Sequence, residues 1–292
     1  MRRSALCRPA GTATVSIVDA EPARTRLTSA GRLVAAAGPA LLMAGALVPA
    51  LRPAVAIAIV SGWILLRAAR GPGSIAWAAV LPLAVILVWP WVLGPDAPIG
   101  DPACRDPLSP IVVRRVVVAI VGLSLVGALA VVHGSSLDEL GLAPPRRVEA
   151  IVAIVGCVAL AGTGLFIGPL VARPFFGALD YPVPPAALLP AVLFGIVNGV
   201  LEEVVYRGAM QTWLGRLAPL ALAIAFQGLA FGIVHAGPEV QAFLPVHIAL
   251  LTAVGVAAGL ARWRFGSLWI PIGIHVGADI ALYVGLACRA AA

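Results

Sequence analysis

The chain is a succession of long apolar runs separated by short polar breaks. The runs lie near residues 33–51, 54–69, 75–94, 111–132, 148–171, 186–214, 218–236, 240–261 and 267–287. Most reach the roughly twenty residues that a helix needs to cross the hydrocarbon core of a bilayer. The second is shorter and can be a half-span packed on the first. The pattern predicts an all-α fold, a polytopic membrane helical bundle of about nine transmembrane helices. Residues 1–32, polar and carrying six arginines, are expected to form a disordered cytoplasmic tail. The longest break, from Gly94 to Pro110, holds Pro95-Asp96, Asp101-Pro102 and Asp106-Pro107, which is turn chemistry throughout. It separates an N-terminal set of spans, within residues 33–145, from a C-terminal set, within 146–292, that is expected to carry the chemistry.

Composition leads to the same class. The 292 residues are 61% hydrophobic and 11% charged, where a soluble domain has roughly a quarter of its residues charged. The net charge of +7 raises the question of nucleic acid. The arginines, however, stand singly or in pairs between apolar runs, without a basic stripe interleaved with aromatics, so no nucleic-acid partner is expected and the lipid bilayer is. If nine spans alternate from a cytoplasmic N-terminus, thirteen arginines fall inside and six outside, with Arg207 in the membrane. That bias follows the positive-inside rule and predicts a multi-pass protein of the cell membrane with its N-terminus in the cytoplasm. Every basic residue is Arg, in a chain rich in Ala, Gly, Pro and Val, as expected of a high-GC bacterial genome. Cys7, Cys104, Cys157 and Cys288 are far apart and suggest neither a disulfide framework nor a zinc ribbon.

The exceptions to the apolar pattern are the informative positions. Within the run from Pro185 to Leu214 stands Asn198-Gly-Val-Leu-Glu202-Glu203-Val-Val-Tyr206-Arg207. Ionisable groups at that depth cost several kcal/mol, about 3 on insertion scales, unless they face the bundle interior and find partners. Glu203 and Arg207, four apart, share a helix face and can pair, while Glu202 points about 100° away, onto the face of Asn198 and Tyr206. The later spans add His235 after Phe231, then His247, and His275 with Asp279 one turn beyond it. Glu202, His235, His275 and Asp279 from three helices can together activate water or bind a metal. His247 has no polar residue at four-residue spacing and is expected to bond a neighbouring helix. His133, at the end of a span, is expected at the membrane interface. Gly-x-x-x-Gly pairs at 195/199, 228/232, 255/259 and 273/277 favour close packing of the last four spans. Counted from the expected turns along ideal helices, Glu202, His235 and His275 would spread over about 13 Å of depth. Bringing them together requires a tilt or a broken helix, with Pro271 and the glycines near 228–237 as candidate positions.

These residues resemble the CPBP, or CAAX-protease-like, intramembrane endopeptidases, whose eukaryotic relatives cleave prenylated CAAX proteins. That family carries E-E-x-x-x-R, then F-x-x-x-H, then H-x-x-x-Asn or Asp. Here Glu202-Glu203-Val-Val-Tyr-Arg207, Phe231-Gly-Ile-Val-His235 and His275-Val-Gly-Ala-Asp279 follow in that order, each on its own span, within residues 185–287. The resemblance implies a glutamate-dependent intramembrane endopeptidase of the type II CAAX prenyl protease-like kind, with no cofactor and no metal, acting on a membrane-protein or peptide substrate. It implies Glu202 as general base, holding a water jointly with His235. His275 and Asp279 would stabilise the oxyanion, and Arg207 would hold the first helix through Glu203. Where Asn donates, an ionised Asp only accepts. Either Asp279 is protonated or it orients His275. Two other functions stand beside this one: a catalytically silent membrane scaffold or regulator on the same bundle, and a metal-dependent membrane hydrolase with Glu202, His235, His275 and Asp279 as ligands.

Overall fold

The computed structural model describes residues 27–71, 73–93, 102–176, 185–235 and 244–287, so residues 1–26 of the expected tail and residues 94–101 of the Gly94–Pro110 break lie outside the described residues. The described residues form helices joined by turns, with no strand among them: α1 Ser29–Leu47, α2 Arg52–Ala68, α3 Ser74–Leu93, α4 Pro110–Val132, α5 Arg147–Phe176, α6 Leu188–Glu203, a π-helical stretch Val204–Met210, α7 Gln211–Gly215, α8 Leu220–Val234, α9 Leu244–Phe265 and α10 Trp269–Leu282. Among the described residues six segments are long and apolar enough to cross a membrane, and three shorter apolar helices, Ser74–Pro90, Leu220–Val234 and Trp269–Gly285, complete the nine. The protein is a polytopic membrane helical bundle, as the hydrophobic pattern predicts. Ser29 to Arg32, polar and assigned to the tail by composition, form the first turn of α1, which Thr28 caps by accepting from the Gly31 amide at 3.1 Å.

Large apolar side chains such as Phe166 (85% exposed) and Val131 (83%) point outward, where lipid takes the place of water. Polar and charged side chains are gathered inside, with Glu203, Arg207, Gln211, Gln227, Asn198 and Asp279 all buried. That inversion is what hydrocarbon solvent demands. Helices α1, α2 and α3 pack on one another, α4 lies against α3 and α6, α9 packs on α8, and α10 is held between α5 and α6.

The glycine pairs explain how closely the last helices approach. A methyl group at Gly195 would lie 2.9 Å from the Val276 carbonyl oxygen, and one at Gly199 3.1 Å from the Val276 nitrogen, so α6 rests on the α10 backbone. Gly228 meets the α9 backbone at Val256 in the same way. Gly273 and Gly277 face the backbone of α5 at Ala153 and Cys157. The tight unit therefore includes α5, beyond the four spans that the glycine spacing marks.

Cys104, buried in the segment that joins α3 to α4, is disulfide-bonded, whereas Cys157 is a free thiol. The spacing of the cysteines did not predict this, because pairing depends on tertiary proximity. His133 caps the C-terminus of α4, and its Nε2 accepts a hydrogen bond from Trp63 Nε1 at 3.2 Å.

Candidate active site

The site is assembled from α4, α6 with its π-helical continuation, the end of α8, and α10. Glu202 and Glu203 are the last residues before the π-helical stretch, where Gln211 N–H bonds back to Tyr206 O, five residues earlier. A wider turn of this kind is uncommon and recurs at functional sites. Helix α8 stops at Val234, which leaves His235 as its C-cap rather than deep inside a longer helix. Pro271 lies in the first turn of α10, where a missing N–H costs nothing, so it supplies no kink.

The four predicted side chains converge. Glu202 Oε2 lies 3.7 Å from His235 Nε2 and 3.6 Å from His275 Nε2. It is buried, with no hydrogen-bond partner among the described residues. Both gaps exceed a direct hydrogen bond. His235 Nδ1 stands 2.7 Å from the Phe231 carbonyl, one of the last-turn carbonyls that a helix leaves without a partner. Donation from Nδ1 leaves Nε2 as the acceptor of the neutral ring, turned toward Glu202. Phe231 packs against His235 with ring centroids 4.5 Å apart, and edge-on against His275 at 5.9 Å and Tyr206 at 5.2 Å. It thereby spaces the two imidazoles.

Glu203 does more than pair with Arg207. Its Oε1 accepts from Arg207 Nη1 at 2.9 Å, as the four-residue spacing predicts, and also lies 2.8 Å from His275 Nδ1. Arg207 is fully buried; its Nη2 donates to the Gly255 carbonyl at 3.3 Å, and its guanidinium lies over the Phe231 ring at 4.6 Å. Asp279 Oδ2 is 3.7 Å from His275 Nε2 and accepts from Asn198 Nδ2 at 2.8 Å. Among the described residues no three His, Cys, Asp or Glu side chains form a metal-ligand set.

Sequence reasoning missed two contributors. Asn198 was placed on the Glu202 face, but its partner Asp279 is 81 positions away. Arg115, on α4, is one of the arginines that the positive-inside count places outside; its Nη1 lies 4.0 Å from Glu202 Oε1, and its guanidinium sits 5.5 Å from the centre of the Phe194 ring. No local pattern announces that contact. The side chains of His235 and Arg115 are about a third exposed, at 33% and 31%, against 13% for Glu202 and His275, so these two are the more accessible members of the site.

The three motifs lie within the part of the chain that comparison with known proteins singles out. The family model "Type II CAAX prenyl endopeptidase Rce1-like" matches residues 184–281. No curated protein and no solved structure matches the chain. The match spans α6 to α10 and contains Glu202, Glu203, Arg207, His235, His275 and Asp279, whereas Arg115 stands outside it. Residues 184–281 of this membrane protein, about a third of the chain, are thus similar to the type II CAAX prenyl endopeptidase Rce1-like family.

Proposed function

We propose that the protein is an intramembrane endopeptidase that hydrolyses a peptide bond of a membrane-associated protein or peptide, using a water activated by Glu202 and His235. The observation that carries this reading is the buried Glu202 Oε2, without a hydrogen-bond partner among the described residues and facing two imidazole Nε2 atoms at 3.6 and 3.7 Å. Those gaps let a single water touch the carboxylate and an imidazole together. Glu202 takes a proton from that water as its oxygen attacks the scissile carbonyl carbon, and the carbonyl π pair moves onto its oxygen. When the carbonyl reforms, the C–N bond breaks, and the proton held by Glu202 passes to the departing amine.

His275 faces the developing charge. As an imidazolium it donates Nδ1–H to Glu203 and offers Nε2–H to the oxyanion. Asp279, which accepts from Asn198, supports His275 as a negative neighbour at 3.7 Å rather than donating to substrate. Arg207 fixes Glu203, and through it the His275 ring.

The test is cleavage of a labelled membrane-peptide library by purified protein. Glu202→Gln and His235→Ala are expected to lose at least about 100-fold in rate relative to the unsubstituted protein. Equal cleavage by both variants refutes the mechanism. A folded protein that cleaves nothing in the library favours the silent scaffold.

The same reading carries an orientation with the N-terminus in the cytoplasm. The arginine bias supports it, and so does the disulfide at Cys104, since disulfides persist on the oxidising side of a membrane and the segment joining α3 to α4 then lies outside. Fusing a reporter that is active only outside the cytoplasm after Arg105 and after Arg146 checks this. Signal after Arg146 alone would reverse the assignment.

A further inference from the structure

A peptidase transition state needs donors aimed at the oxyanion, and the side chains of the matched region supply few. Asp279 Oδ2 accepts from Asn198. His235 is engaged through Nδ1 with Phe231 O and faces Glu202 through Nε2. Arg207 is fully buried and committed to Glu203 and to the Gly255 carbonyl. His275 Nε2 is left as the donor on that side.

Arg115 has the opposite character. Its guanidinium makes no hydrogen bond among the described residues, although it carries five N–H donors. It lies over Phe194, two helical turns before Glu202 on α6, and reaches 4.0 Å from Glu202 Oε1. That distance is ion-pair range without a hydrogen bond, so the donors remain available to a substrate oxygen. The two oxygens of Glu202 are thereby distinguished: Oε2 faces the imidazoles and Oε1 faces the cation. The side chain is 31% exposed where His235 is 33% exposed, so a substrate entering beside His235 meets Arg115 as well.

We propose that Arg115 is a catalytic residue from outside the matched region, donating to the oxyanion that forms when the Glu202-bound water attacks the scissile carbonyl. The inference rests on the peptidase reading. The water oxygen bonds to the carbonyl carbon and its proton goes to Glu202. The π pair becomes the oxyanion held between the Arg115 guanidinium and His275 Nε2–H, and that pair returns as the C–N bond breaks. A cation there also offsets the negative charge of Asp279, which would otherwise oppose a further anion.

The test compares Arg115→Gln and Arg115→Lys with the unsubstituted protein, using a cleaved peptide and its phosphinic analogue, whose tetrahedral centre carries the oxyanion's charge. Arg115→Gln is expected to lower kcat about 100-fold with KM changed less than about threefold, and to weaken the phosphinic peptide in parallel; Arg115→Lys recovers part of both. Unchanged kcat, a rise in KM alone, or a fall in kcat with undiminished phosphinic affinity each overturns it. An unsubstituted protein that cleaves nothing overturns the peptidase reading and the inference with it, whereas cleavage by the unsubstituted protein matched by Arg115→Gln overturns the inference alone. Melting of both variants in detergent guards against misfolding; a variant that melts with the parent and still loses kcat supports the proposal.

Discussion

One oxygen of Glu203 serves both Arg207 and His275, at 2.9 and 2.8 Å, so a single buried carboxylate ties the π-helical stretch to α10. Removing it strands a fully buried guanidinium. Glu203→Ala is therefore expected to destabilise the protein by about 3–5 kcal/mol. Thermal melting in detergent reads this directly, and a variant that melts with the parent would show that Arg207 finds another partner.

Asn198 is the donor that holds Asp279, with 2.8 Å between Nδ2 and Oδ2. A hydrogen bond to a charged group contributes about 1.5–3 kcal/mol. If Asp279 supports His275 through that geometry, Asn198→Ala lowers kcat by roughly 10–100-fold at little cost in KM. Full kcat in a folded Asn198→Ala protein would remove Asp279 from the working site.

Gly199 lets α6 approach α10, since a methyl group there would come within 3.1 Å of Val276 N and Cγ2. Gly199→Val is expected to cost about 1–3 kcal/mol through overpacking and to reduce cleavage, because it pushes the helix of His275 away from that of Glu202. Gly127 on α4, with nothing within 4 Å, is the control. Equal losses from Gly199→Val and Gly127→Val in melting temperature and rate would refute the packing argument.

His133, at the end of α4, is held below the usual histidine range by burial first and then by the cations Arg67 and Arg216. A histidine whose folded pKa is depressed takes up its proton more readily when unfolded, so its contribution is present above the unfolded pKa of about 6.5 and is lost as pH falls from there through the folded value. Protonation also removes the Nε2 acceptor of Trp63. The ring is partly exposed, so the effect is expected to stay under about 1 kcal/mol. Melting between pH 8 and pH 5 should decline more for the parent than for His133→Gln; parallel curves would discard the link.

Much of the architecture was legible without coordinates, because in hydrocarbon each backbone polar group must be satisfied within its own helix. A run of about twenty apolar residues is then itself a structural statement. The same solvent makes Glu202, Glu203, Arg207, His235, His275 and Asp279 conspicuous, and the Glu203–Arg207 pair follows from helical periodicity. Contacts between distant helices were not legible: Asn198 with Asp279, Glu203 with His275, Arg115 beside Glu202, and the bonded state of Cys104. Periodicity says which residues share a face, but not which face meets which.

The amino-acid pattern alone therefore determined a membrane helical bundle and the short set of ionisable residues that must turn inward. Tertiary structure alone decided how those residues are partnered. It ended α8 at His235, widened the turn after Glu203, and brought a cation from α4 against the carboxylate of α6. The reason is physical: solvation acts on each segment independently, whereas helix breaks and interhelical contacts are settled by packing among segments that no local stretch of chain contains.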